Sequence, residues 1–242
     1  MGIFRRGLEA QGDTPGGEQR RFPGFDVLAE VDTWDAVTAG VVLHRLGFRP
    51  ALRFFTVVEH AVGKCLFDQL LDQRDPPRVP VLELVDARLA ENQTDGWRYG
   101  DMPEDGAAFR RSFVGLDEDA QAAYGGRRFS ELAWDDQSDV VQRMYDVGDD
   151  HWHGLPAARV WSLWTRYACT AFYSSPLAWN EIGFGGPAYP RGYKNLGLDR
   201  REPWEVPDRV NRTPTGTGKR VEQARRRHAE LRDGQQGQEQ AE

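Results

Sequence analysis

The residues of this sequence that could bind a metal ion lie together at Asp149-Asp150-His151-Trp152-His153. On an extended backbone His151 and His153 would point to the same side, because alternate side chains of a strand share a face. Protein metal sites need three or four ligands, and the sequence shows no second cluster to complete one. The pattern favours a polar loop whose Trp152 packs inward, with a metal site at His151 and His153 as the alternative.

Candidates for acid–base catalysis are His44, Glu59 and His60. Glu59 and His60 are neighbours on a predicted helix, where adjacent side chains diverge by about 100°. They therefore do not converge on one substrate atom, and a surface or partner-facing role is favoured. The sequence has no Gly-x-Ser-x-Gly elbow and no dinucleotide or P-loop fingerprint. None of these observations by itself predicts catalysis.

The two cysteines, Cys65 and Cys169, each lie in an apolar helix-like run. A free cysteine usually behaves as a small buried hydrophobe, so two packed thiols are expected. A disulfide, within the chain or to a partner, is the alternative. No CxxC pair, zinc spacing or cysteine framework is present.

Charge and hydrophobicity limit the partners and the location. The 242-residue chain has a net charge of −7, with a mildly basic stretch at 211–242. Nucleic-acid binding depends on clustered Lys and Arg, so the acidic body disfavours it. No window approaches the ~20 apolar residues of a membrane span. Arg5-Arg6 is followed by Glu9 and Asp13 where an export signal needs an apolar run, so a cytoplasmic location is expected.

Apolar residues at spacings of three and four predict several helices. One begins after Pro50 and covers 51–73, and an antiparallel second covers Val79–Leu89 beyond Asp75-Pro76-Pro77. Another begins after Pro156 and is apolar on nearly all sides, as is typical of a helix at the centre of a bundle.

Three further segments connect these helices. Residues 92–104 are predicted as a loop, and Asp117 and Asp135 as N-caps of short helices. The segment 25–46 has a short apolar start and a β-branched run, so helix and strand compete, and a mixed or extended structure is expected.

The segment FYSSPLAWNEIGFGGPAYPRGYKNLG, residues 172–197, contains six aromatic residues, five glycines and three prolines. Ser175-Pro176 should end the preceding helix, because the residue before proline avoids the α region. One interpretation is a loop fixed to its own core by aromatic side chains. The other is a rigid surface arm that docks on another protein, since Tyr, Trp and Arg are favoured at binding hot spots. Both can hold at once.

This segment resembles the C-terminal signature of the gluconate 2-dehydrogenase subunit 3 family. An aromatic helix end, a Trp/Asn element, an Ile-Gly-Phe-x-Gly-Pro run and a Tyr-Pro turn have counterparts here at Phe172, Tyr173, Pro176, Trp179, Asn180, Ile182, Gly183, Phe184, Gly186, Pro187, Tyr189 and Gly192. Residues 115–144, with Phe129 and Leu132 in a turn between two helices, are also similar to the family.

The resemblance implies a small accessory subunit without a cofactor of its own. Its partner would be a large FAD-dependent oxidoreductase of the glucose-methanol-choline type, acting on a sugar, glycoside or alcohol hydroxyl. The expected partner-binding residues are those of the aromatic arm: Tyr173, Trp179, Asn180, Phe184, Tyr189, Arg191 and Tyr193. Two alternatives remain: a stand-alone metal-dependent enzyme using His151 and His153, or a purely structural helical module.

The predicted fold class is therefore all-α, a compact multi-helix bundle with a long Gly/Pro/aromatic-rich C-terminal arm. The predicted domains are a flexible N-terminal arm at 1–24, a helical domain at 25–210 with its docking arm at 172–205, and a disordered polar tail at 211–242.

Overall fold

Helices make up most of the computed structural model, which describes residues 22, 25–188 and 192. The chain divides into two units, Met1–Val206 and Pro207–Glu242, and all described residues lie in the first. The elements are a 3₁₀ helix (Val27–Thr33), α1 (Ala36–Gly47), α2 (Val57–Leu70), α3 (Val81–Ala90), α4 (Asp105–Ala123), a second 3₁₀ helix (Phe129–Glu131), α5 (Trp134–Asp146), β1 (His151–Trp152), β2 (Leu155–Pro156), α6 (Ala157–Phe172) and α7 (Pro176–Ile182). The predicted all-α class is confirmed. The predicted bounds at 24 and 210 lie outside the described residues and stay predictions.

α6 is the central helix, as its apolar sequence predicts. It packs against α2, α3, α4 and α5, and Pro156 is its N-cap. Trp164 and Tyr167 are completely buried on it. Their polar atoms are satisfied across the core: the Trp164 indole N–H donates to Ser112 Oγ at 2.9 Å, and the Tyr167 hydroxyl donates to Asp105 at 2.6 Å. None of the described helices has the length and apolar character needed to cross a membrane.

α2 and α3 form the predicted antiparallel pair. Arg53, just before α2, forms an ion pair with Glu91 at the end of α3, and Gln73, just after α2, bonds to Val79 at the start of α3. The predicted start of α2 at Pro50 is wrong, because the helix begins at Val57 with Thr56 as its N-cap.

The buried carboxylate of Asp86 explains this late start. It accepts hydrogen bonds from the backbone N–H groups of Arg53, Phe54 and Phe55 at 2.7, 2.9 and 2.7 Å. These three N–H groups face a side chain on α3, so the chain turns before it can enter a helix. Thr56 and Glu59 then complete a capping box that starts α2.

The predicted N-caps at Asp117 and Asp135 are also wrong. Asp117 lies inside α4, and its carboxylate accepts a hydrogen bond at 2.9 Å from the backbone N–H of Phe129, which begins the second 3₁₀ helix. Asp135 lies in the first turn of α5, where it complements the helix dipole, while Ala133 is the N-cap.

The segment 25–46 is helical, not mixed or extended. Asp26 and Asp35 are the N-caps of the first 3₁₀ helix and α1, and the Asp35 carboxylate accepts a hydrogen bond from the Thr38 backbone N–H at 2.8 Å. Hydrogen bonds from Thr38 lower the pKa of Asp35. The β-branched run is compatible with a helix because its buried side packs on α7.

Both cysteines are free, but only one is packed as predicted. Cys65 is half-buried on α2, and this burial raises the pKa of its thiol. Cys169 is exposed on α6. The expected packed environment is wrong for Cys169 because its position faces away from the core that Trp164 and Tyr167 enter.

Candidate partner-binding surface

The C-terminal arm begins with a short helix instead of a loop. Ser175 caps α7, Pro176 occupies its first turn, and Gly183 ends it in the left-handed conformation at φ +69°. The predicted break at Ser175-Pro176 is thus confirmed. The arm resumes a helix at once because the Ser175 hydroxyl accepts a hydrogen bond from the Leu177 backbone N–H.

Trp179 and Asn180, two of the expected partner-binding residues, are buried in the chain itself. Trp179 is 6% exposed, and its indole N–H donates to the Tyr173 carbonyl oxygen at 2.7 Å. The Asn180 side-chain oxygen accepts a hydrogen bond at 2.8 Å from the backbone N–H of Val27. At these two positions the arm is fixed to its own core, as in the first of the two interpretations of this segment.

Tyr173 and Phe184, also expected to bind a partner, are exposed. The Phe184 ring packs edge-on against Trp179, with centroids 5.3 Å apart, so a buried neighbour orients the exposed ring. Tyr189, Arg191 and Tyr193 lie outside the described residues, and their expected role stays a prediction.

A second exposed apolar surface, which the sequence interpretation missed, lies on α1. Val37 and Val41 are 74% and 51% exposed, and Phe48, directly after the helix, is also exposed. Their spacing places them on one side of α1, opposite the buried Val42. Asp35 ahead of the run could have identified the helix, and with it this face.

The His151/His153 region is a hairpin turn. β1 pairs with β2 in the register Trp152 to Leu155, and the two turn residues, His153 and Gly154, both have positive φ. The predicted extended backbone, which would place the two histidines on one side, is therefore wrong, because His153 is a turn residue. Trp152 packs inward as predicted, and its indole N–H donates to Asp119 at 2.7 Å.

The His153 ring is held between two carboxylates of α4. Its Nδ1 lies 3.0 Å from Glu118 and its Nε2 lies 2.8 Å from Asp119. Because the two carboxylates contact opposite nitrogens of the ring, they do not converge with the ring on one metal ion. Within the described part of the chain, no group of three His, Cys, Asp or Glu side chains is arranged to hold a metal.

The acid–base candidates do not form one site. Glu59 accepts hydrogen bonds from Thr56 in the capping box, and His60 lies 3.5 Å from Glu83 on α3. His44 stacks against Phe48, with ring centroids 5.1 Å apart. Each side chain thus has its own local contact, and Glu59 and His60 do not converge, as their adjacent helix positions predicted.

A cluster of charged and aromatic side chains fixes the loop after α3. The Asp95 carboxylate lies 3.0 Å from Arg88, and 2.7 Å from Arg166 in an ion pair without hydrogen-bond alignment. The Arg166 guanidinium also lies over the Trp97 ring, 4.5 Å from its centroid. This loop borders an open cavity of about 480 Å³, which the side chains of Phe54, Leu89, Asn92, Trp97, Arg98 and Glu104 help to line.

A protein-family model described as gluconate 2-dehydrogenase subunit 3 matches residues 58–186, which is more than half of the chain. The chain belongs to this family. Comparisons with curated proteins and with solved structures give no match.

Membership in the gluconate 2-dehydrogenase subunit 3 family identifies the chain as a subunit of a dehydrogenase-type complex and implies a partner chain. The match covers α2 to α7 and ends at Gly186, so it includes Tyr173 and Phe184. It begins after α1. The apolar face of α1 therefore lies outside the segment that resembles other family members.

Proposed function

We propose that this chain is a non-catalytic accessory subunit that binds and stabilises an FAD-dependent oxidoreductase, or aids its maturation. The large subunit would be of the glucose-methanol-choline type, would hold the FAD and would oxidise a sugar, glycoside or alcohol hydroxyl. The observation that carries this proposal is the family match over 58–186, which spans the bundle and the start of the arm.

The internal use of the buried acids supports an accessory role. Asp86 accepts three backbone hydrogen bonds that hold the chain ahead of α2. Asp105 accepts a hydrogen bond from the Tyr167 hydroxyl, and burial together with this hydrogen bond raises the pKa of Tyr167. These groups are engaged in fixing helices to one another, so they are not poised to exchange protons with a substrate.

The exposed rings at the arm support a binding role. Tyr173 and Phe184 are exposed at the two ends of α7, and burial of Trp179 between them holds that helix in place. Aromatic side chains held in position lose little entropy when a partner covers them, which favours them at interfaces.

Co-expression tests this proposal directly. We expect affinity-tagged chain, produced together with a large FAD-dependent oxidoreductase from the same source, to retain that protein and its flavin absorbance through purification. The oxidoreductase expressed alone should lose activity faster on warming, because a subunit that binds only the folded state stabilises it. A colourless tagged chain without partner would contradict the proposal, and metal analysis of that protein would then test His151 and His153.

A further inference from the structure

The outward face of α1 is apolar although the helix already has a buried side. Val42 and the half-buried Ala39 pack into the cluster with Trp179. On the opposite side Val37, Val41 and His44 are exposed, and Phe48, directly after the helix, continues the row. The His44 ring stacks against Phe48, with centroids 5.1 Å apart. This row is about 16 Å long at 1.5 Å per residue. Such a helix has two apolar faces, and the described residues bury only one.

The face is also nearly free of charge. Arg45 is the only Asp, Glu, Lys or Arg residue in α1, and its guanidinium donates to the Ser174 carbonyl oxygen at 3.2 Å, beside the arm. Charged residues make up 29% of the whole chain. Depletion of charge at an exposed apolar patch is typical of the centre of a protein–protein interface. Apart from His44 and Arg45, this face offers a charged partner surface nothing to pair with, whereas an apolar groove would complement it.

The size of the face shows that α1 alone is too small for a stable interface, with a second copy of this chain or with a larger partner. A 12-residue helix is about 18 Å long and about 10 Å wide, so one face covers about 180 Å². A stable interface buries about 800 Å² on each partner. Two copies joined through α1 alone would fall far short of that. A groove that encloses the helix and also reaches the exposed arm residues Ile182 and Phe184 would bury much more.

α1 and the arm belong to one substructure. α1 packs on α7, and the Arg45 hydrogen bond to Ser174 joins the end of α1 to the start of the arm. A partner that covers the arm can therefore reach α1 without any rearrangement of the bundle.

We propose that the outward face of α1, centred on Val37, Val41 and Phe48, docks into an apolar groove of the large oxidoreductase subunit. This inference rests on the proposed function. It adds a surface that lies outside the family match and locates the centre of the interface on α1, with the arm at its edge.

The test compares two valines of nearly equal exposure. Val41 on α1 is 51% exposed, and Val114 on α4 is 54% exposed. Each is changed to Glu in the full chain, and the affinity for the co-expressed oxidoreductase is measured after purification. We expect Val41→Glu to weaken binding about tenfold or more, because a charge is then buried without a partner. Val114→Glu should bind within about twofold of the unchanged chain, as expected for a residue outside the interface.

Two further variants guard against a folding defect. Val37→Glu changes the most exposed residue of the row, at 74%, and should weaken binding while leaving the melting temperature unchanged. Val41→Leu keeps the apolar character of the face and should retain binding.

Each other outcome overturns a defined statement. Equal binding by Val41→Glu and Val114→Glu would overturn the α1 surface and leave the proposed function standing. Failure of the unchanged chain to bind the oxidoreductase would overturn the proposed function and the α1 surface together. A dimer of the isolated chain that Val41→Glu converts to monomer, seen by light scattering, would show that a second copy covers this face instead.

Discussion

The two hydrophobic clusters of this protein differ in size and in whether every buried indole N–H has a hydrogen-bond partner. The bundle cluster joins α2 to α6, and its central Trp164 donates its indole N–H to Ser112. The terminal cluster consists of four buried residues, Val27, Trp34, Val42 and Trp179. The buried indole N–H of Trp34 has no hydrogen-bond partner among the described residues. The bundle is thus a large core whose central indole N–H has a partner, and the terminal cluster is a small one in which the Trp34 indole N–H has none within the described part of the chain.

This difference indicates different local stabilities. Segments with few buried contacts open at a smaller free energy than the core, and binding surfaces are often found in such segments. The terminal cluster carries α1 and α7, the two elements that present the proposed docking residues. A partner that covers α1 would add buried area where the chain itself supplies little. Substitutions in the two clusters should therefore differ in their effects.

Truncation at the centre of the bundle should have the largest effect. Trp164→Ala should lower the free energy of global unfolding by about 3–5 kcal/mol, because it opens a cavity and leaves Ser112 without its donor. Urea unfolding followed by circular dichroism measures this loss. Trp97→Ala, at an exposed ring, is the control and should cost much less. A similar loss in both variants would contradict a core centred on α6.

Truncation in the terminal cluster should act locally. Trp179→Ala should destabilise the packing of α1 on α7 by about 3 kcal/mol, while α2 to α6 stay folded. Hydrogen exchange should show faster exchange in Ala36–Gly47 and unchanged protection in Ala157–Phe172. If both helices lost protection equally, the two clusters would form one cooperative unit and would not differ in local stability.

Two helical glycines should respond in opposite directions to the same change. A Cβ at Gly63 on α2 would lie 2.7 Å from the Phe113 ring and 2.8 Å from Leu82, so Gly63→Ala should cost about 1–3 kcal/mol through overpacking. Gly40 on α1 has open space around it. Gly40→Ala should therefore stabilise the helix by up to about 1 kcal/mol through its better helix propensity. Thermal unfolding of both variants measures whether each change raises or lowers the stability. Destabilisation by Gly40→Ala would mean that the α1 face is already covered in the free chain.

The smallest loss of stability at neutral pH is expected at Tyr167. Tyr167→Phe should cost about 1–2 kcal/mol by removing the hydrogen bond to Asp105. Burial and this bond raise the pKa of Tyr167 above its ordinary value of 10.0. The folded state then holds the phenolic proton more tightly than the unfolded state, so this contribution is complete below pH 10 and is lost as the pH rises beyond it.

The alkaline behaviour of the two proteins checks this sign. The stability of the unchanged chain, measured by urea unfolding, should fall as the pH rises above about 10, and that of Tyr167→Phe should fall less steeply. The fall that remains in the variant includes the Cys65 thiol, whose pKa is also raised by burial. If the stabilities of the two proteins fell equally with rising pH, deprotonation of Tyr167 would not be a cause of the alkaline loss of stability.

Periodicity allowed most of the helical bundle to be predicted. The antiparallel pair α2 and α3, the loop after it, and the central helix after Pro156 follow from apolar residues at spacings of three and four and from proline positions. These signals are local, because a helix needs a consistent apolar side and a defined end. The family resemblance at the arm was also visible in the residues, and the family match confirms it.

The partner-binding role of the arm residues stays a prediction, and the structure decides only which of them are exposed. Phe184 and Tyr173 are exposed as expected of binding residues, whereas Trp179 and Asn180 are buried. The sequence alone does not separate these outcomes, because an aromatic side chain in a Gly/Pro-rich segment suits a core and an interface equally well. The α1 face was missed because its β-branched residues are also compatible with a strand.

The sequence by itself determined the helical class, the helices α2, α3 and α6 and the subunit family, because period, proline positions and motif residues are read within short windows. Only the tertiary structure decided where α2 starts, since Asp86 holds backbone N–H groups that lie 31–33 residues earlier. It also decided that Asn180 meets Val27, 153 residues away, and that Val42 packs with Trp179, which buries one side of α1 and leaves the other exposed. Such contacts join residues that are distant along the chain, and they exist only once the helices have packed.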